Sequence, residues 1–138
     1  MVDRYHVIAK YMDMWMYLRE NGYSVNEFFK LRNIHKVAVY GYGILGRHLI
    51  REIEQSDSLI DIEWILDVRA ETITNSKHPV YLPESAENLS KAELIVVCAI
   101  NDFDEVEAFV SSRTRIPIVS FKEILEECNR RSQMEIIK

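Results

Sequence analysis

"VAVYGYGILGRHLI", residues 37–50, holds three of the four glycines in a chain of 138 residues. A run of β-formers stops at Tyr40, Gly41, Gly43 and Gly46 follow, and apolar residues then recur at helical spacing. Strand, G-x-G-x-x-G, helix is the order of the phosphate-binding turn of dinucleotide folds, where each glycine has its own task. Gly41 lets the chain leave the strand sharply. Gly43 leaves bare backbone that a pyrophosphate can approach, and Gly46 lets helix and strand pack closely. The helix N-terminus adds unpaired N–H groups and the positive end of its dipole. A tight strand-to-helix turn without a ligand would use the same glycines.

A second signal lies downstream. Asp67 ends the apolar stretch "IDIEWILD" (60–67), 21 residues after Gly46. A carboxylate there can accept hydrogen bonds from an adenosine ribose 2′-OH, which favours NAD over NADP. Arg69, two residues on, leaves room for a 2′-phosphate. The loop residues Tyr42, Ile44 and Leu45 join the glycines as candidate ligand contacts. Tyr42 either covers the ligand or lines the turn.

From His35 onward strands and helices alternate. "KVAVY" (36–40), "IDIEWILD", the short strand of "HPVYLPESAENL" (78–89), "AELIVVCAI" (92–100) and "IPIVSF" (116–121) read as strands. "ILGRHLIREIEQ" (44–55), with Ile44, Leu45, His48, Leu49 and Ile53 inward, "DFDEVEAFVSS" (102–112) and "KEILEECNRRSQ" (122–133) read as helices, and a helical turn follows Pro83. That rhythm predicts an α/β fold: a Rossmann-like three-layer sandwich on a parallel sheet. "AELIVVCAI", the most apolar run, suits its middle.

Residues 1–33 stand outside the alternation and read as a helical extension to a domain over 34–138. "DRYHVIAKYMDMWMYLRE" (3–20) repeats Ile8, Tyr11, Met12, Trp15 and Leu18 at helical spacing, with Met14 and Tyr17 as a second stripe. So wide a face fits core packing or self-association as a homodimer. "SVNEFFKLRN" (24–33) opens with Ser24 and Glu27 spaced as a capping box, and Phe28, Phe29 and Leu31 form its buried side.

Composition narrows the function. Seventeen basic against 22 acidic residues give a net charge of −5, which argues against nucleic-acid binding. Two cysteines make no disulfide framework, and four scattered histidines make no zinc site. There is no signal-peptide pattern at the N-terminus and no apolar run of membrane-spanning length, so a cytoplasmic protein is expected, without membrane insertion. No G-K-[ST] follows the glycines, excluding a Walker A loop, and "VAVY" lacks the acid usual before the first glycine of S-adenosylmethionine enzymes. Tyr-x-x-x-Lys and G-x-S-x-G are absent as well. Groups for chemistry do stand at strand ends: Asn101, Asp102, Asp104 and the thiol of Cys98. Asn101 is also a candidate ligand contact. Asp102 reads better as the N-cap of the next helix, and Cys98 as a buried thiol. No nucleophile–base pair emerges.

The stretches "YLRENGYSVNEFFKLRNIHKVAVYGYGILGRHLIREI" (17–53), "IVVCAINDFDEVEAFV" (95–110) and "IPIVSFKEIL" (116–125) resemble small bacterial Rossmann-type modules. These occur alone or fused to glycosyltransferases and other polysaccharide-biosynthesis proteins. More distantly, the chain is similar to the N-terminal nucleotide-binding domains of nucleotide-sugar dehydratases and sugar acetyltransferases. The resemblance implies that Gly41, Gly43, Gly46 and Asp67 contact a nucleotide, either NAD(P) or a nucleotide sugar, and it carries over no catalytic residue. Three roles follow as expectations: an accessory or sensory nucleotide-binding module working with glycan-biosynthesis enzymes, a small oxidoreductase or sugar-nucleotide-modifying enzyme completed by a partner or a dimer, and an interaction scaffold that has lost its ligand.

Overall fold

Val37, Ala38, Val39 and Tyr40 are all buried, so β1 (Lys36–Tyr40) has apolar neighbours on both faces, as an interior strand must. The computed structural model describes residues 3–55, 59–89 and 92–137. Residues 1, 2 and 138, the outer ends of the two expected regions, lie outside that set. β1 is flanked by β2 (Asp61–Leu66) and β4 (Leu94–Val97), with β3 (Val80–Tyr81) beyond β2 and β5 (Ile118–Ser120) beyond β4. All pairings are parallel, and Val39 stands beside Ile65 on one side and Val96 on the other.

Among the described residues five α-helices complete the sandwich: α1 (Arg4–Glu20), α2 (Asn26–Leu31), α3 (Ile44–Gln55), α4 (Phe103–Ser111) and α5 (Phe121–Ile137). Alternate strand residues divide between two cores. Val37, Val39, Ile65 and Val96 meet α1, α2, α3 and α5. Ala38, Tyr40, Trp64, Leu66, Ile95 and Val97 meet α4 and the 3₁₀ stretch Pro83–Asn88. The chain is therefore a Rossmann-like three-layer α/β sandwich. Among the described residues no helix is long and apolar enough to cross a membrane.

The N-terminal helices share the core of the sheet. Tyr11, Trp15 and Leu18 of α1 are buried in the same cluster as Val37, Leu49, Phe121 and Ile124. Trp15 meets Phe121 edge-on at 4.7 Å between ring centres. The second stripe divides: Met14 is half-buried against this core, whereas Tyr17 is exposed.

A buried carboxylate fastens this layer. Glu52, on the inward side of α3, accepts from Trp15 Nε1–H at 3.0 Å, the Val25 N–H at 2.8 Å and the Ser24 hydroxyl at 3.2 Å, and Arg19 reaches it at 3.2 Å. One side chain thus joins α1, α3 and the connection to α2. It also explains why no capping box forms. The Ser24 hydroxyl turns to Glu52 while accepting from the Asn26 N–H, Glu27 pairs with Lys30, and the helix begins only at Asn26.

Other expectations shift as well. In α3 the inward positions are Leu45, Gly46, Leu49, Ile50, Glu52 and Ile53; Ile44 and His48 point outward. Leu31 is exposed, because Phe28 and Phe29 alone fill the side of a six-residue helix that faces the core. β4 ends at Val97 and a 3₁₀ turn takes Ile100–Asp102. Phe121 opens α5 instead of closing β5.

Candidate functional site

The chain leaves β1 for α3 on one side of the sheet, while β4 runs on to α4 on the other. The C-terminal ends of β1 and β4 therefore border a crevice, the place where ligands sit in open α/β sheets. A cavity of about 660 Å³ opens there, within the range of small-molecule sites.

The three glycines differ in what demands them. Gly41 has φ +102°, in the left-handed region, and a side chain would stand 3.2 Å from the Ala99 backbone nitrogen. Its N–H donates to the Leu66 carbonyl at 2.8 Å, tying the turn to β2. At Gly46 a Cβ would overlap the carbonyl oxygen of Gly41. Gly43 has neither constraint: its φ lies outside the left-handed region, and a Cβ there would meet nothing within 4 Å. What it faces is the cavity. The first N–H groups of α3 have no acceptor within the helix, which makes this end of the turn attractive to anions.

Asp67, just past β2, is buried and also lines the cavity. One carboxylate oxygen accepts the Tyr42 N–H and the other the Arg69 N–H, each at 2.7 Å. The side chain therefore shapes the glycine loop itself. A carboxylate has about four acceptor positions, so two backbone donors leave capacity for a ligand hydroxyl. The Arg69 guanidinium is exposed, with Nε 3.7 Å from the same carboxylate.

Of the nine candidate contacts, Gly41, Gly43, Ile44, Leu45, Gly46, Asp67 and Arg69 converge on this one cavity. Tyr42 gives its backbone to Asp67 but turns its side of the loop to a different cleft, beside Arg47 and His78. Asn101 lies outside too, its amide donating to the Arg4 carbonyl at 3.4 Å.

The far wall held contacts that the sequence reading missed: Ile8, Ala99, Glu105, Val106 and Phe109. Glu105 and Phe109 stand one turn apart on α4 with Val106 beside them, and the strand order that brings α4 to β1 was their only signal. Ile8 arrives because α1 crosses this end of the sheet. Its first turn is held there by Arg4, whose guanidinium meets the Asp102 carboxylate at 2.8 and 3.2 Å.

The groups considered for chemistry are otherwise engaged. Asp102 stands at the N-cap of α4, but its side chain caps no backbone N–H and goes to Arg4, which holds it below the usual carboxylate range. Burial pushes the Cys98 thiol far up, leaving it neutral. Asp104 lines the neighbouring groove with Asn101, away from the cavity. Among the described residues no three His, Cys, Asp or Glu side chains converge to hold a metal. The arrangement can hold a ligand by backbone donors and one acceptor; it presents no activated nucleophile. No family model matches the chain.

Proposed function

We propose that this protein is a nucleotide-binding module that takes NAD, or a nucleotide sugar, into the crevice between β1 and β4. The single observation that carries the reading is Gly43. The fold itself demands Gly41 and Gly46, but nothing in the protein demands a glycine at 43. Bare backbone facing a cavity, beside the free N–H groups of a helix, suits a diphosphate. Asp67 would accept from a ribose hydroxyl, and its charge would disfavour a 2′-phosphate there, so NAD is preferred to NADP. Ile44 and Val68, exposed at the rim, offer apolar cover to a base.

A bound NAD would supply a hydride-accepting ring, yet Cys98 is a neutral thiol and Asp102 is paired with Arg4. That supports binding or sensing ahead of an enzyme. The role in cytoplasmic steps of cell-surface polysaccharide synthesis, alongside glycan-building partners, rests on the resemblance given above. Self-association through α1 belongs to the same reading and is motivated by exposed Tyr5, Met16 and Tyr17.

Thermal melts of wild type and Gly43→Ala with NAD, NADP, S-adenosylmethionine and UDP-sugars test the proposal. At a hundred times Kd, a ligand adds about 2.7 kcal/mol, several degrees of melting temperature. Wild type should gain that with NAD or a UDP-sugar. Gly43→Ala should melt normally without ligand and gain little with it. A flat wild-type response across the set, or an undiminished one in Gly43→Ala, overturns the reading.

A further inference from the structure

A second cleft, of about 490 Å³, lies on the outer side of the glycine loop, between α3 and the segment leading into β3. Arg47 and Arg51 of α3 line it, one helical turn apart, and Lys77 and His78 close it from the facing segment. Like charges at i, i+4 repel, so this placement works against the helix unless something negative sits between them. The carboxylate within reach is Glu54, and it is taken by His78 Nε2 at 3.0 Å. Several cations elsewhere have a carboxylate partner, Arg4 with Asp102, Arg19 with Glu52 and Arg32 with Glu127, whereas others, such as Lys36 and Arg115, stand at the surface with no ion pair among the described residues. Among the described residues, neither Arg51 nor Lys77 has an ion-pair partner, and Arg47 bonds only the Gly43 carbonyl. Three formal positive charges thus surround one concavity in a chain of net charge −5.

We infer that this cleft is a phosphate-monoester site, distinct from the crevice; only the case of a phosphate carried by the crevice's own nucleotide rests on the reading proposed for that crevice. Two guanidinium forks and an ammonium suit a tetrahedral anion with several acceptor oxygens. A phosphomonoester carries about −1.5 to −2 at pH 7, which matches the excess charge of the cleft. The cleft takes one compact anion; a polyanion would need a continued basic track, and Glu54 interrupts this one. The phosphate comes either from a small phosphorylated metabolite or as an extra phosphate on the nucleotide in the crevice.

The test uses the full chain at low, fixed ionic strength, followed by backbone amide NMR shifts. Inorganic phosphate and a sugar 1-phosphate are the separate-molecule probes; NADP against NAD is the joined one. Saturable shifts at Tyr42, Arg51, Lys77 and His78 are expected with at least one phosphomonoester. Either separate-molecule probe alone identifies a free metabolite, while NADP alone identifies an appended phosphate. Arg51→Gln with Lys77→Gln, both exposed side chains, should weaken that binding about tenfold or more. Glu54→Gln should strengthen it. Absence of shifts with every phosphate-bearing probe, or binding unchanged in the double variant, overturns the assignment. Loss of NAD binding in Gly43→Ala would leave it untouched.

Discussion

An alanine at position 46 would drive its methyl into the carbonyl oxygen of Gly41, and both are backbone-anchored, so the turn itself must move. Gly46→Ala should cost at least about 1–3 kcal/mol by overpacking. Gly41→Ala should cost a similar 1–3 kcal/mol, here from forcing an L-residue to φ +102°. Gly43→Ala should stay within about 1 kcal/mol of wild type, on the favourable side, since it restricts only the unfolded chain. Urea denaturation of the three variants checks that order, and equal losses at 43 and 46 would contradict it. The spacing of the glycines was visible in sequence; which of them the fold needs was not, because that depends on where Ala99 and the Gly41 carbonyl lie in space. The thiols make a second test. Cys98 and Cys128 are both buried, and burial beside Glu127 and Glu52 pushes Cys128 up to about 12. Neither should react with a disulfide reagent in the native protein, and both should react once it unfolds. Fast labelling of native Cys98 would return it to the list of groups for chemistry.

Secondary elements carry their own lesson in Glu52. The strands of the sheet could be read because each is a short apolar run, the first three closed by Gly41, Asp67 and Pro83, and alternation with helices implies parallel pairing. The apolar spacing of α3 gives Ile44, Leu45, His48, Leu49 and Ile53 as the inward stripe, and Glu52 is not part of it. Yet Glu52 lies three residues after Leu49, on the inward side, where Trp15 and Val25 bring N–H donors to meet it. Those donors come from a segment 27 to 37 residues away, and no local pattern predicts them. Glu52→Ala should leave the donors buried without acceptors and cost about 3–5 kcal/mol. Arg19→Ala should cost less than about 1 kcal/mol, because Arg19 is half exposed and screened by water. If denaturant midpoints shift equally in the two variants, the ion pair and not the hydrogen-bonded acceptor fastens α1 to α3.

At the scale of the whole molecule, the ionisable groups set a pH window for stability. On the acid side, Arg4 holds Asp102 below its ordinary range, and Arg32 with Arg131 does the same for Glu127. A carboxylate with a depressed folded pKa adds stability above its unfolded value of about 4, and that share is lost as pH falls through the folded value. Both pairs join N-terminal helices to the α/β part, Arg4 from α1 to the start of α4 and Arg32 from the end of α2 to α5. On the alkaline side the sign reverses: Cys98 and Cys128 are raised by burial, so the unfolded chain releases their protons first and stability falls above about 8.5. Tyr11 and Tyr40, also raised, steepen the fall above about 10. Urea midpoints measured from pH 3 to 10 should therefore form a plateau between roughly 5 and 8 with a shoulder on each side. Asp102→Asn with Glu127→Gln should lower the plateau and flatten its acid shoulder, because the groups that titrate there are gone. Cys128→Ala should flatten the alkaline shoulder between about 8.5 and 10, whatever its cavity costs at neutral pH, since a uniform packing loss moves the whole curve and leaves its slope alone. An alkaline shoulder that keeps its slope in that variant would mean the thiol ionises as readily in the folded protein as in the unfolded chain, which a side chain of α5 buried near Glu127 and Glu52 should not do.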